Sequence, residues 1–267
     1  MAFASSLNLS VQASKALFIT VLSIFLITYG SPAHSRNRPA EIRFLPGEKL
    51  TFEVRWAFIR AGEVVLEIRP LSEINGRKTY HFVMTSKTTP FIDIFYKVRD
   101  RFESYTDIGM THALLYKKTK RGRRKKDIVV TLNWEQGQAR YTGIDEEWHP
   151  IPLLPGAFDP LSVFYAFRRH NLREGKEITT PVTDGKKCVM GKALVIKREK
   201  IRVKGIEYDT YLVEPDLGNI GGVFEKSRGA GVRIWVTADD RQVPVRLESE
   251  LALGSFVADL VSAEGLH

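Results

Sequence analysis

The densest chemistry in the chain is a run of cations. Lys117, Lys118, Lys120, Arg121, Arg123, Arg124, Lys125 and Lys126 place eight basic side chains in the ten residues from 117 to 126. Such density holds phosphates, acidic lipid headgroups or nucleic acid by releasing their counterions. Gly122 stands in the middle with alternating apolar patterns on both sides, so the run reads as the tip of a β-hairpin. The plain reading is a solvated tip that discourages edge-to-edge strand pairing. The functional reading is contact with an anionic envelope component such as a lipid or glycolipid.

Carboxylates and histidines offer less. Glu147 and His149 in the EEWH segment could share a metal on extended backbone, but two ligands fall short of a site and a solvated loop is the simpler account. Asp239 and Asp240 in TADDRQVP have the side chains for acid–base work. Adjacent residues between two strand patterns build a turn, however, and seldom converge on a cleft. None of the six His pairs with another at i, i+2 or i, i+4. The chain holds no GxSxG, HExxH, Walker loop or GxGxxG, and Gly218 to Gly231 is Gly-rich without the strand-to-helix context that cradles phosphate. The expectation is therefore a non-enzyme with no catalytic residue, no metal and no cofactor. Cys188, the single thiol, has no partner for an internal disulfide and reads as a structural residue despite the neighbouring Lys186 and Lys187.

The elements that must position these groups begin after an export signal. Residues 1 to 35 carry one charged side chain, Lys15, followed by an apolar run from Ala16 to Tyr29 and then GSPAHS. A basic residue, a short apolar stretch and small residues make the tripartite secretory layout. The run is shorter than the roughly 20 residues of a spanning helix. Cleavage is expected after Ala33 or Ser35, with an uncleaved anchor as the alternative, and the Cys needed for lipid attachment is missing. The expected location is the periplasm of a Gram-negative-type bacterium, with no transmembrane span after cleavage, which disfavours nucleic acid as a partner despite the net charge of +9.

Residues 36 to 267 then read as one domain. With 43% hydrophobic and 27% charged residues the chain is neither disordered nor fibrous and can bury a sizeable core. Period-two alternation starts at once: Leu50, Phe52, Val54 and Trp56 point one way and Thr51, Glu53 and Arg55 the other. About a dozen such segments follow, joined by Gly, Asn and Asp turns, with no fixed repeat and no long linker. Asp159-Pro160 opens the one exception, DPLSVFYAFRRHNL, a helix of twelve or so residues with Asp159 as N-cap and Pro160 at its first position. The fold class is mainly β: a single long antiparallel sheet, strongly curved into an open barrel or β-roll, with one α-helix on its concave side.

Several stretches read together resemble a known family. FLPGEKLTFEVRW, AGEV, YKVRDRFESYTD, FDPLSVFYAFR and IWVTADDRQVPVRLESELALGSFVADL follow in the order seen in the exported bacterial family called Domain of Unknown Function 3108. The likeness runs from about Phe44 to Leu260. It implies an exported β-rich protein and supplies no catalytic residues, so Gly47, Glu48, Gly62, Asp100, Asp159, Ser162, Tyr165, Arg168, Trp235, Asp239, Pro244 and Arg246 mark the fold first. A curled sheet either fills its hollow with side chains or encloses a ligand. Phe52, Trp56, Phe82, Trp134 and Trp235 are the large inward candidates, and Tyr165 and Arg168 mark where the helix packs. The leading expectation is a periplasmic binder of an amphiphile, its head near the basic tip and Gly218 to Gly231 gating entry. A structural or interaction module docking an envelope protein or glycan is the alternative, and an envelope hydrolase a distant third.

Overall fold

The computed structural model describes residues 44–122, 125–144, 148–216, 231–251 and 254–266. Fourteen strands occur among them: β1 (Lys49–Trp56), β2 (Ile59–Ile74), β3 (Arg77–Thr88), β4 (Arg99–Asp107), β5 (Ala113–Arg121), β6 (Lys125–Asn133) and β7 (Gln138–Gly143) form the first group. A short β8 (Ile151–Pro152) follows, then β9 (Glu177–Thr183), β10 (Cys188–Val203), β11 (Ile206–Pro215), β12 (Val232–Thr237), β13 (Pro244–Leu251) and β14 (Gly254–Glu264). All belong to one sheet in the order β8-β7-β6-β5-β4-β3-β2-β1-β14-β13-β12-β11-β10-β9. Tight turns make this meander: Asn75 and Gly76 both hold positive φ (51° and 75°), the type I′ geometry whose twist matches the flanking strands.

The alternation read from the sequence becomes the core. On β1, Leu50, Phe52 and Val54 are buried, and register sets Phe52 opposite Leu260 and Val54 opposite Ala258. The sheet curls far enough for its ends to meet. Gly185, in the turn after β9, lies against Val130 of β6 and Tyr141 of β7, so closely that a Cβ there would stand 2.8 Å from the Val130 methyls. The seam itself is irregular. The Ala157 carbonyl accepts from the Ala113 amide (3.0 Å), while Phe158 donates to Pro181 (2.9 Å) and its carbonyl accepts from Thr183 (2.8 Å). β8 and β9 do not pair, so the barrel stays open, and each carries a proline (Pro152, Pro181) as edge strands tolerate.

Two helices occur among the described residues, both short. α1 (Pro90–Asp93) lies between β3 and β4, and α2 (Ser162–Phe167) lies between β8 and β9. The helix expected from DPLSVFYAFRRHNL is real but only six residues long. The helix starts later than expected: Leu161 holds the N-cap position and Pro160 lies in the turn before it, while the Asp159 carboxylate organises that turn by accepting from the amides of Leu161 (2.8 Å) and Ser162 (3.0 Å). The stretch from Arg168 onward leaves the helix because its groups are used elsewhere: Gln242 donates to the His170 carbonyl at 2.6 Å. α1 and β8 went unread in the sequence, although Pro90 at a first helical position was a signal for α1.

Strand direction alternates, so turns alternate between the two ends of the barrel. α2 closes the end that holds Leu50, Ile68 and Phe82. The β1–β2, β3–β4 and β5–β6 connections lie at the other end, called the open end below.

Candidate ligand-binding site

At the α2 end the motif residues hold the fold together. Tyr165 stacks on Phe82 (centroids 4.0 Å apart) and meets Phe44 edge-on at 5.4 Å. Arg168 is fully buried and grips the carboxylate of Glu48 with both terminal nitrogens, at 2.5 and 2.9 Å. Its Nε and Nη2 also donate to the Arg241 carbonyl, at 3.1 and 3.0 Å. The PGE opening and the DPLS helix, 120 residues apart, are thus joined by one ion pair. Ser104 of β4 and Ser162 both donate to Asp159, whose own amide donates to Ser162 Oγ at 3.1 Å. Burial raises the Asp159 carboxyl, and the serine hydrogen bonds pull it back. Arg168 and Tyr165 are therefore committed to packing, which leaves neither an open face toward a ligand.

The open end differs. The basic run does form the β5–β6 hairpin, but these strands lie inside the sheet between β4 and β7, so edge protection is not its task. Strand alternation splits it. Lys117 pairs across with Glu103 and with the exposed Val129, on the outer face, and Arg121 and Lys125 follow it outward. Lys118 instead pairs with Phe102 and Ile128, both buried, and Lys120 with Asp100 and Lys126. Three lysines therefore share the concave face. Arg123 and Arg124 lie outside the described residues.

All three are half-buried. The Lys118 ammonium sits 5.4 Å above the Phe102 ring, and burial, reinforced by repulsion from Lys120 and Lys126, brings its pKa down to about 7. Burial lowers Lys120 too, against the pull of Asp100 at 3.8 Å. Asp100 is raised by burial and partly restored by Lys120, Lys118 and the Arg121 amide. Next to it across the β3–β4 ladder is Ser86, 3% exposed, whose Oγ has no hydrogen-bond partner. Asp184, in the turn that touches Val130, adds a second carboxylate within electrostatic reach of Lys118. Half-buried Lys118 and Lys120, beside a hydroxyl with no hydrogen-bond partner, make a place where an anion would be favoured.

The tryptophans scatter. Trp56 shares the concave face and stacks on Phe256 at the open end, with centroids 6.0 Å apart. Trp134 is at the far end of β6, its indole N–H donating to Ala113 O at 2.7 Å. Trp235 pairs with Arg246, which pairs with Asp259 opposite Glu53, so it follows the polar alternation of β1. Its N–H donates to Glu199 at 3.0 Å. All three nevertheless belong to or pack against one hydrophobic core cluster with Phe52 and Phe82, Trp235 at 7% exposure.

The weaker candidates resolve simply. Asp239 organises the β12–β13 turn: burial alone would raise it, but hydrogen bonds from Thr237 and Arg241 hold it below the usual value. Asp240 neighbours it in the same turn. His149 is exposed, Glu147 lies outside the described residues, and no group of three or more possible metal ligands occurs among those described. The Cys188 thiol accepts from the Leu154 amide (3.3 Å) and burial pushes its pKa up. Residues 218–230 of the Gly-rich stretch lie outside the described residues. A cavity of about 460 Å³ also opens beside Asp239, Tyr208, Val245 and Leu260.

The fold and this interior define an open, β-barrel-like protein with a cationic patch on its concave face. The family described as Protein of unknown function (DUF3108) matches residues 51–261, and the chain belongs to it. Among solved structures, a β-barrel-like protein of Domain of Unknown Function DUF1849 from Brucella abortus superposes with a TM-score of 0.53 at 11% identity, over 83% of this chain and 98% of that one. A Bacteroides fragilis protein with a YmcC-like fold gives 0.40 at 9% identity, over 83% and 97%. At such identities the first likeness speaks to fold alone. No protein of curated function matches the chain.

Proposed function

We propose that this protein is a non-enzymatic binder of an anionic amphiphile in the cell envelope. The head is held by Lys118, Lys120 and Lys126 on the concave face at the open end. The single observation that carries this reading is the inward orientation of Lys118 and Lys120 onto the concave face beside Phe102 and Ile128, where burial brings the Lys118 ammonium down to about 7. Burial disfavours the charged Lys118, and a bound acidic head would add a counter-charge beside it. Ser86 Oγ would donate to the same head. The signal-like residues 1 to 35 support an envelope location, the periplasm.

A second reading has its own support. Phe52, Phe82, Phe102 and Tyr165 are fully buried, as in a module whose core is filled by its own side chains and which acts by docking an envelope protein or glycan. Native mass spectrometry, with lipid analysis of protein purified without detergent, separates the two. A stoichiometric acidic lipid, lost in Lys118→Met/Lys120→Met, is the result expected of a binder. A clean mass that persists after incubation with envelope lipid extract selects the filled module.

A further inference from the structure

The open end carries an apolar rim that the interior does not explain. Phe58, in the turn between β1 and β2, is 90% exposed; Ile94, just after α1, is 76% exposed, with Phe91 at 55% and Phe95 at 52%. Exposing one such side chain is ordinary, but gathering four at one end of a barrel is not.

They are brought together by specific bonds. Thr89, which leads into α1, donates its amide to Ala61 O (2.9 Å) and its hydroxyl to Arg60 O (3.3 Å), fixing α1 beside the start of β2 and the Phe58 turn. Arg99 grips Asp93 at 2.6 and 3.1 Å and holds the far side of α1. The tip of the basic hairpin closes on the same loop. A Cβ on Gly122 would lie 2.3 Å from the Lys97 carbonyl oxygen, so the tip packs directly against the backbone that follows Phe95. Aromatic and aliphatic side chains thus protrude beside the exposed cations Arg121 and Lys125, with Arg60 and Lys87 (61% and 60% exposed) on the other flank. Three of these cations form ion pairs, Arg121 with Asp127, Lys87 with Glu63 and Arg60 with Glu53, and Arg99 pairs with Asp93, so the positive excess of the rim comes from the exposed Lys125 and Lys97.

We infer that this rim is a docking surface for an anionic lipid bilayer. Phe58 and Ile94 enter the headgroup region while the hairpin cations lie on the acidic surface. The chemistry selects a membrane over a protein partner because Phe58 and Ile94 protrude beyond Phe91 and Phe95, which meet each other edge-on at 5.8 Å. Phe58 at 90% exposure has almost no neighbours, so it belongs to no flat packed patch of the sort a protein interface buries. Protruding aromatics flanked by Lys and Arg are the composition of an interfacial membrane contact, in which apolar insertion and attraction to acidic lipids add. The inference stands on residues outside the lysine site and holds whether or not that site is filled.

The test is flotation of the purified protein freed of residues 1 to 35 with vesicles of phosphatidylcholine alone and of phosphatidylcholine mixed with phosphatidylglycerol. Binding is expected only to the acidic vesicles and is expected to weaken as salt rises. Phe58→Ser and Ile94→Ser should each weaken it about tenfold, from the lost apolar burial. Ile108→Ser, an exposed apolar residue at the opposite end, should not change it. Lys118→Met should also leave flotation unchanged, which separates failure of this inference from failure of the lysine site. The inference is overturned if the protein floats with neither vesicle, if it floats equally with both, or if Phe58→Ser and Ile94→Ser float like the parent.

Discussion

Lys118 is the residue on which function and stability pull apart. Its folded-state pKa of about 7 lies below the ordinary 10.5, so between those values the folded chain holds fewer protons than the unfolded one. The sign follows: this group's contribution to stability rises with pH across that window and is fully unfavourable below it. Lys118→Met should therefore stabilise the protein at neutral pH, by about 2 kcal/mol once relaxation is allowed for, and denaturant unfolding would show it. A lysine kept only for packing would give a loss instead. For an acidic amphiphile the sign reverses. A bound anion raises the Lys118 pKa, so affinity should fall as pH climbs above about 7, readable by calorimetric titration. Arg168 behaves oppositely: Arg168→Met strands the Glu48 carboxylate in the core and should cost about 3–5 kcal/mol in the same unfolding assay.

At the scale of elements, two glycines hold the turns that shape the site. Gly122 lets the β5–β6 tip reach the Lys97 carbonyl, and Gly185 (φ 86°) lets the β9–β10 turn reach Val130. Gly122→Ala should push the hairpin off the α1 loop, raising amide exchange at the tip while leaving the α2 end protected. Gly185→Ala combines a left-handed backbone with contact on Val130 and Tyr141, so a loss of about 1–3 kcal/mol is expected in thermal unfolding. The hairpin itself was legible in the sequence, since Gly122 stands between two alternating runs. The division of its cations was also implicit in the alternation. That one side faces a core needed β4 and β6 to be placed on either side of β5, and strand neighbours come from the sheet order.

For the whole molecule, the central event is the pairing of β1 with β14, which joins the β1–β8 and β9–β14 halves in one sheet. The seam contacts at Ala157 and Phe158 and the Gly185 contact tie the far edges together again. One cooperative thermal transition, with calorimetric and van't Hoff enthalpies equal, is expected, and two transitions would mean that the halves fold separately. No helix among the described residues is long and apolar enough to cross a membrane.

The sequence by itself determined the β-rich class, the meander of tight turns, the DPLS helix and the family, because period-two burial and turn chemistry act between near neighbours in the chain. It could not tell that Arg168 would meet Glu48, or that Phe58 and Ile94 would share a rim. Those depend on which strands become neighbours and in what register, and on the curl that sets distant turns side by side. Both arise from packing across the whole sheet.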